Sequence, residues 1–430
     1  MSDLPIIAID RSRVTAAEKC MRYRYWHYEH DGVGIEQAGQ WLDPLIGTAT
    51  HDAIEHLLTA PGSINEAVAV GRETIMAARR EGPISVYKQS LDPELDVAEG
   101  ADLMEALVRG WAAVRLAPLL DANEVIAIER EMSVDWVVGG RTIRQLSRPD
   151  IVIRRKADRS LFILNLKTAS RVDDKWRTKW RFDMQTFSEA AAVESTLGEP
   201  VAGTIIAGLL KGSRSDYERD LGPNVGPGKF HWSNSPLLWA WKREAEGPGM
   251  DDAWYARYEW QCTAPHEMGR GKRCAGGANH RLSGVRKAPV TERLGGISGW
   301  ISYLAVADRS LLEEQFVELP AILRSPYEVE RWKRQALPRE VDIREHRDFL
   351  NELNEVDDSD DTHTVTREDL LDKWFPMSTA EGNCVWPTKC MAFEICHGVA
   401  RDDLAGNGFR ARSANHPQEF SERPHLRSQW

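Results

Sequence analysis

Asp150 and Lys167 stand at the two ends of a stretch whose residue types suit chemistry better than packing. Between them Ile151-Val152-Ile153 and Leu161-Phe162-Ile163-Leu164 form two short apolar runs, separated by the polar turn Lys156-Ala157-Asp158-Arg159-Ser160. Such runs around a polar turn predict a β-hairpin. A hairpin this apolar should be buried, and a buried charge is costly unless it is paired or bound to a metal. A second set of chemically capable residues lies far downstream. Cys384, Cys390 and Cys396 recur at even five-residue gaps, away from any other cysteine. Three thiolates need a fourth to hold an iron–sulfur cubane, and Cys20 is the candidate. Tetrahedral Zn2+ on the same four sulfurs is the chemical alternative.

The elements that must carry these residues can be read in order. Ser12 or Thr15 is a candidate N-cap, with Glu18 at the capping-box spacing, for a helix from Ala16 to Trp26 that mixes basic and aromatic residues. Residues 44–60 predict a helix in which His51 shares a face with Ile54 and Leu58, and Gly47 allows close packing. Residues 63–119 are helical in pattern, with breaks near Pro83 and Pro93. The period then changes, and Glu124 to Val134 predicts a strand. Gly139-Gly140 marks a hairpin turn, and Ile143 to Ile153 is the returning strand. A helix is expected from about Lys179 to Thr196, carrying Gln185, Phe187 and Glu189, and a buried strand from Val201 to Leu210. Cys262, His266, Cys274 and His280 could bind zinc, but their spacing fits no established finger, and a loop with incidental cysteines is the simpler reading. Helix returns over 298–354, anchored by Trp300, Leu304, Leu311, Leu312 and Phe316, with a long charged helix from Tyr327 to Leu353. The tail after Arg401 is polar and expected to be loosely ordered.

A chain of 430 residues with 42% hydrophobic and 28% charged residues has the composition of a soluble globular protein. Absence of a signal-peptide core or a membrane-length apolar run predicts a cytoplasmic protein without a membrane partner. Six cysteines are too few for a disulfide framework at this length, and in a reducing compartment clustered cysteines more often bind metal. The net charge of −11 weighs against nucleic acid until its distribution is considered. Thirteen Lys and Arg against four Asp fall between Arg141 and Arg181, whereas acidic residues crowd Glu352 to Asp361. A basic stripe on an acidic protein suits a groove for a polyanion, although a solvated charged surface would look the same.

Arg148-Pro149-Asp150 followed by Asn165-Leu166-Lys167 resembles the active-site hairpin of the PD-(D/E)XK nuclease superfamily. Gly47-x-x-x-His51-x-x-Ile54-Glu55, Gln185 and the Cys20-plus-three arrangement extend the resemblance to its RecB-like, CRISPR-associated and AddB-type iron–sulfur branches. Asn165 stands where the family has an acid, and Glu189 where a Q-x-x-x-Y motif would have its tyrosine. The resemblance implies a restriction-endonuclease-like α/β core, a central mixed sheet flanked by helices, with helical insertions and a C-terminal cysteine cluster. It divides the chain into an N-terminal helical region 1–120 with Cys20 and His51, a core sheet 121–212, a loop-rich insertion 213–290, a C-terminal helical region 291–400 with the cluster cysteines, and a polar tail 401–430.

The implied activity is divalent-metal-dependent hydrolysis of DNA, as an exonuclease on single strands or ends, in recombination, repair or phage DNA metabolism. Mg2+ or Mn2+ would be held by His51, Asp150, Asn165 and the Leu166 carbonyl, with Lys167 placing water or stabilising charge and Gln185 orienting the site. Arg22, Arg24 and Gln185 would touch DNA, and a 4Fe–4S cluster would sit on Cys20, Cys384, Cys390 and Cys396. Any ATP-driven helicase or recombination motor must be a partner, since the sequence has no Walker A motif. A neutral Asn165 removes one negative charge beside the metal, a loss that Glu129 or Glu131 could offset. The alternative is a silenced nuclease fold serving as a nucleic-acid-binding or Fe–S structural subunit.

Overall fold

A computed structural model describes residues 6–60, 63–85, 93–211, 309–354, 366–378, 384, 390–398 and 403–416, with the backbone of four short strands between 258 and 286. In chain order the strands are β1 (Ile7–Ile9), β2 (Ile35–Gln37), β3 (Gln40–Trp41), β4 (Ile84–Ser85), β5 (Asn123–Ile128), β6 (Met132–Val138), β7 (Arg141–Ser147), β8 (Ile151–Arg155), β9 (Leu161–Ala169) and β10 (Val201–Leu210). They continue as β11 (Tyr258–Cys262), β12 (Met268–Gly269), β13 (Arg273–Cys274), β14 (Leu282–Arg286), β15 (Phe316–Glu318) and β16 (Phe409–Ala411). The helices are α1 (Arg11–Lys19), α2 (Met21–Arg24), α3 (Leu42–Thr59), α4 (Ile64–Glu81), α5 (Pro93–Trp111), α6 (Ala117–Ala122), α7 (Asp174–Lys179) and α8 (Gln185–Leu197). After the insertion come α9 (Arg309–Gln315), α10 (Pro326–Asn354), α11 (Arg367–Trp374) and α12 (Phe393–Cys396).

The predicted hairpin is present: β8 and β9 pair antiparallel from Ile151–Leu164 to Arg154–Leu161. They lie in a five-stranded sheet of order β15-β10-β9-β8-β5, in which β10 runs parallel to β9 and the other pairs are antiparallel. Alternation divides the hairpin between two layers, because successive strand side chains point to opposite faces. Ile151, Ile153, Phe162, Leu164 and Leu166 join the core made with α3, α4 and α5. Val152, Leu161 and Ile163 join Ala192 and Val193 of α8 on the other face. The result is a mixed α/β fold with several small sheets, none closed into a barrel among the described residues.

The sequence predicts one strand from Glu124 to Val134 and another from Ile143 to Ile153; each is two. β5 ends before Glu129, a non-glycine residue with φ of 44°. The chain then leaves the five-stranded sheet for a three-stranded one of order β1-β7-β6, turns at Gly139-Gly140 with φ of 57° and 79°, and returns through Pro149 to β8. Positive φ at both turn residues is the hairpin geometry that glycine permits. The exit and re-entry points are stitched together, Glu129 N–H donating to the Asp150 carbonyl at 3.0 Å. This excursion brings residues 129 and 150 side by side.

Other boundaries differ as well. The first helix starts earlier than the Thr15 capping box predicts, because Asp10 caps it by accepting from Arg13 N–H. It breaks at Cys20, whose φ and ψ of −168° and 123° are extended. The helix expected from Lys179 begins only at Gln185, as α8, because α7 ends at Lys179 and a turn at 180–184 follows it. Phe316 belongs to a strand rather than the helix expected there, and it pairs with Leu209 at the sheet edge. Part of the tail expected to be loose is anchored: β16 pairs with β2, and Phe409, Arg412 and His416 are buried. The side chains of Cys262 and Cys274, and His266 and His280 altogether, lie outside the described residues, as do Trp300 and Leu304.

Candidate functional site

Three segments far apart in sequence converge at the sheet edge. His51 on α3, Glu129 after β5 and Asp150 before β8 place one ligand-capable atom each within 4.8 Å of one another. α3 can approach the end of β9 because residue 47 is glycine; a Cβ there would meet Thr168 Oγ1 at 2.8 Å. Asp150 Oδ2 accepts from Leu166 N–H at 2.7 Å and faces Lys167 Nζ at 3.4 Å and His51 Nδ1 at 3.7 Å. Burial pushes the His51 pKa down against the pull of Asp150, so the ring is neutral and can donate a lone pair. A hydrogen bond to the Leu166 backbone also acts on that ring.

Of the two carboxylates that the sequence left open, Glu129 is the one at the site. Its pKa is pushed up to about 8, by burial first and then by the Asp150 charge, with Arg148 at 3.0 Å opposing. Glu131 instead faces His416, 3.3 Å away. Nothing in the local pattern separated the two; the selection comes from the backbone reversal at 129. Glu55, one turn after His51, also carries a raised pKa from burial and Asp52, and its charge reaches Glu129.

Asn165 and Gln185 come together, with a partner the sequence flagged only as a departure. The Asn165 Nδ2 and Gln185 Nε2 amides donate to the two oxygens of Glu189, each at 2.6 Å. All three residues are buried. Burial and then the Asp150 charge push Glu189 up to about 7, against Lys167 and the two amides.

Arg22 and Arg24 correct a sequence expectation. Both are buried, so neither side chain offers a surface to DNA. Arg22 donates to the Phe375 carbonyl at 2.7 Å and pairs with Asp372 and Glu368. Arg24 pairs with Glu29 and Glu340, both at 2.9 Å. Exposed basic residues do occur elsewhere: Lys175, Arg177, Lys179 and Arg181 surround the turn after α7, together with the highly exposed Phe182.

The four cysteines expected to share a ligand form no disulfide, and each is partly buried. Cys384 O accepts from Cys390 N–H at 2.8 Å, and Cys20 Sγ accepts from Ser378 N–H at 3.3 Å. Burial pushes the Cys396 thiol up to about 11; the Arg22 guanidinium opposes this, while the charges of Cys390, Cys20 and Cys384 add to it. Cys390 and Cys396 pack against the apolar cluster of Tyr25, Phe375, Ala392 and Ile395, and the charges of Cys20 and Cys384 reach Cys396.

No family model and no curated protein matches this chain. A solved structure described as "Crystal structure of SSO0001" is similar at 13% identity, covering 46% of this chain and 72% of that one, with a TM-score of 0.18. A likeness at that level supports no statement about this chain's fold or activity. Among the described residues, no helix is long and apolar enough to cross a membrane.

Proposed function

We propose that this chain is a divalent-metal-dependent nuclease of the PD-(D/E)XK type, acting on DNA ends or single strands in the cytoplasm. One observation carries the reading: His51, Glu129 and Asp150 meet within 4.8 Å, beside Lys167 at 3.4 Å from Asp150. The two carboxylates are hard oxygen donors suited to Mg2+ or Mn2+, and the imidazole adds a borderline nitrogen that Mn2+ accepts more readily than Mg2+. Such ions hold donors at about 2.1 Å, so neighbouring donors stand roughly 3–4 Å apart, a small contraction from the observed spread. When bound, the ion would supply charge neutralisation at the scissile phosphate and acidify a water.

The protein's own groups divide the remaining work. Leu166 N–H fixes one Asp150 oxygen, and Lys167 brings a positive charge to the place where charge develops on the phosphate. Glu129 supplies the negative charge that Asn165 lacks. The exposed cations around Phe182 offer phosphate contacts, and the ring a face for an unstacked base. Cys20, Cys384, Cys390 and Cys396 would hold a 4Fe–4S cluster or Zn2+ as a structural tie between distant segments. Absorbance at about 400 nm in anaerobically purified protein would indicate the cluster, and its absence with stoichiometric zinc would indicate the alternative.

End-labelled single- and double-stranded DNA incubated with Mg2+ or Mn2+ tests the activity. Degradation should require metal and fall at least about 100-fold in Lys167→Ala. DNA binding without cutting, equal in the native protein and Lys167→Ala, would instead favour a silenced binding module. Asn165 is the observation behind that second reading, since its amide is held by Glu189.

A further inference from the structure

The sequence departs from the nuclease pattern at two positions, an amide at 165 and an acid at 189, and the structure puts these two side chains in contact. Asn165 Nδ2 donates to Glu189 Oε2 at 2.6 Å, while Gln185 Nε2 donates to Glu189 Oε1 at 2.6 Å. While Glu189 is ionised it can only accept, and this fixes the orientation of both amides. Each amide must turn its nitrogen toward Glu189 and its oxygen away. Asn165 Oδ1 and Gln185 Oε1 are left buried with no hydrogen-bond partner. A buried acceptor without a partner is costly, and a native fold keeps one where it has a use.

We propose that acid and amide are transposed between β9 and α8, making Glu189 a positioning residue for the metal centre. It clamps Asn165 so that Oδ1 remains as a neutral oxygen donor toward the ion, and it holds Gln185 in the same sense. Glu189 itself lies outside the group of His51, Glu129 and Asp150 whose ligand-capable atoms converge, so it acts on the ion through Asn165. This inference rests on the proposed metal site, and it adds a specific expectation about restoring the family's acid. An aspartate at position 165 would set a second carboxylate where the 2.6 Å hydrogen bond now lies. Like charges that close cannot both ionise without cost.

The transposition can be reversed. In the double variant Asn165→Asp with Glu189→Gln, the amide introduced on α8 would accept from Gln185 and donate to the carboxylate introduced on β9, so every hydrogen bond has a partner. Mn2+ affinity by isothermal titration calorimetry, with melting temperature in EDTA, should be measured for native protein, both single variants, the double variant and Asp150→Asn. Positioning partners of metal ligands typically contribute about 10–100-fold in metal affinity, so each single change should weaken Mn2+ binding by that factor. The double variant should return to within about threefold of native. Asn165→Asp alone should also melt lower in EDTA, and the added Glu189→Gln should restore it. Additive losses in the double variant, or native Mn2+ affinity in Glu189→Gln, would overturn the clamp while leaving the metal site intact if Asp150→Asn has lost binding. Native affinity in Asp150→Asn would remove the metal reading and the clamp together.

Discussion

Two buried charged clusters in this protein handle carboxylates in opposite ways. At the junction of α1, α2 and α10, Glu29 faces Arg13, Arg24 and Arg347 at 2.9–3.6 Å, and Glu340 faces Arg24 at 2.9 Å. Burial alone would raise Glu29, but Arg24, Arg347 and Arg13 outweigh it and hold its pKa down to about 2. At the sheet edge, Glu129 and Glu189 are driven up to about 8 and 7 by burial and by Asp150. The first cluster is matched and stabilises the fold. The second is overloaded with negative charge, and a cation would relieve it. Direction of pKa displacement thus separates a strut from a site, even though both are polar and buried.

That contrast can be broken at either end. The largest effect should come from Asp150→Asn, which removes the carboxylate shared by Leu166, Lys167 and His51. DNA degradation should become undetectable, whereas the melting temperature in EDTA should hold or rise because a repelling charge has gone. Glu29→Ala should do the reverse. Chemical denaturation should show a loss of about 3–5 kcal/mol, the usual cost of unpairing buried charges, with Mn2+ affinity unchanged. Destabilisation by Asp150→Asn comparable to that of Glu29→Ala would erase the distinction.

Titration sharpens it further. Glu29 is depressed in the fold, so its contribution is present above the unfolded value of 4.5 and lost as pH falls toward about 2. A displacement of that size corresponds to about 3 kcal/mol. Glu129 is raised, so the metal-free protein gains from it below pH 4.5 and loses that gain as pH rises toward about 8. Denaturation midpoints in EDTA should therefore fall as pH drops from 4.5 toward 2 and also as it rises from 4.5 toward 8, and Glu129→Gln should flatten only the second slope. The smallest effect is expected from Arg148→Ala. Its half-exposed guanidinium should contribute no more than about 1 kcal/mol, read as a small shift in the midpoint.

Period and turn chemistry made much of the scaffold legible. The two apolar runs flanking the polar turn Lys156–Ser160 predicted the β8–β9 hairpin, and the residue types from Val201 to Leu210 predicted β10 with its observed ends. His51 on α3 and the long helix α10 were equally readable. The site itself was only half legible. Asp150 and Lys167 could be named from their costly placement in an apolar hairpin. Glu129 could not be chosen over Glu131, because the backbone reversal at φ 44° leaves no mark on a residue that is not glycine. Pro149 was a usable sign that the strand from Ile143 divides, since proline cannot donate to a ladder. Arg22 and Arg24 misled because arginine is normally exposed, and Asp372 and Glu340, which help to bury them, lie more than 300 residues downstream, beyond any local pattern.

Those distant partners also govern when the protein can become whole. Arg24 is separated from Glu340 by 316 residues, and Glu29 from Arg347 by 318. On a ribosome adding roughly 5–20 residues per second, α2 would emerge about 15–60 s before α10 exists to receive its guanidinium. The five-stranded sheet with His51, Glu129 and Asp150 is encoded entirely ahead of α10, so the proposed metal centre can assemble on a nascent chain whose first helices are still waiting for their counter-charges.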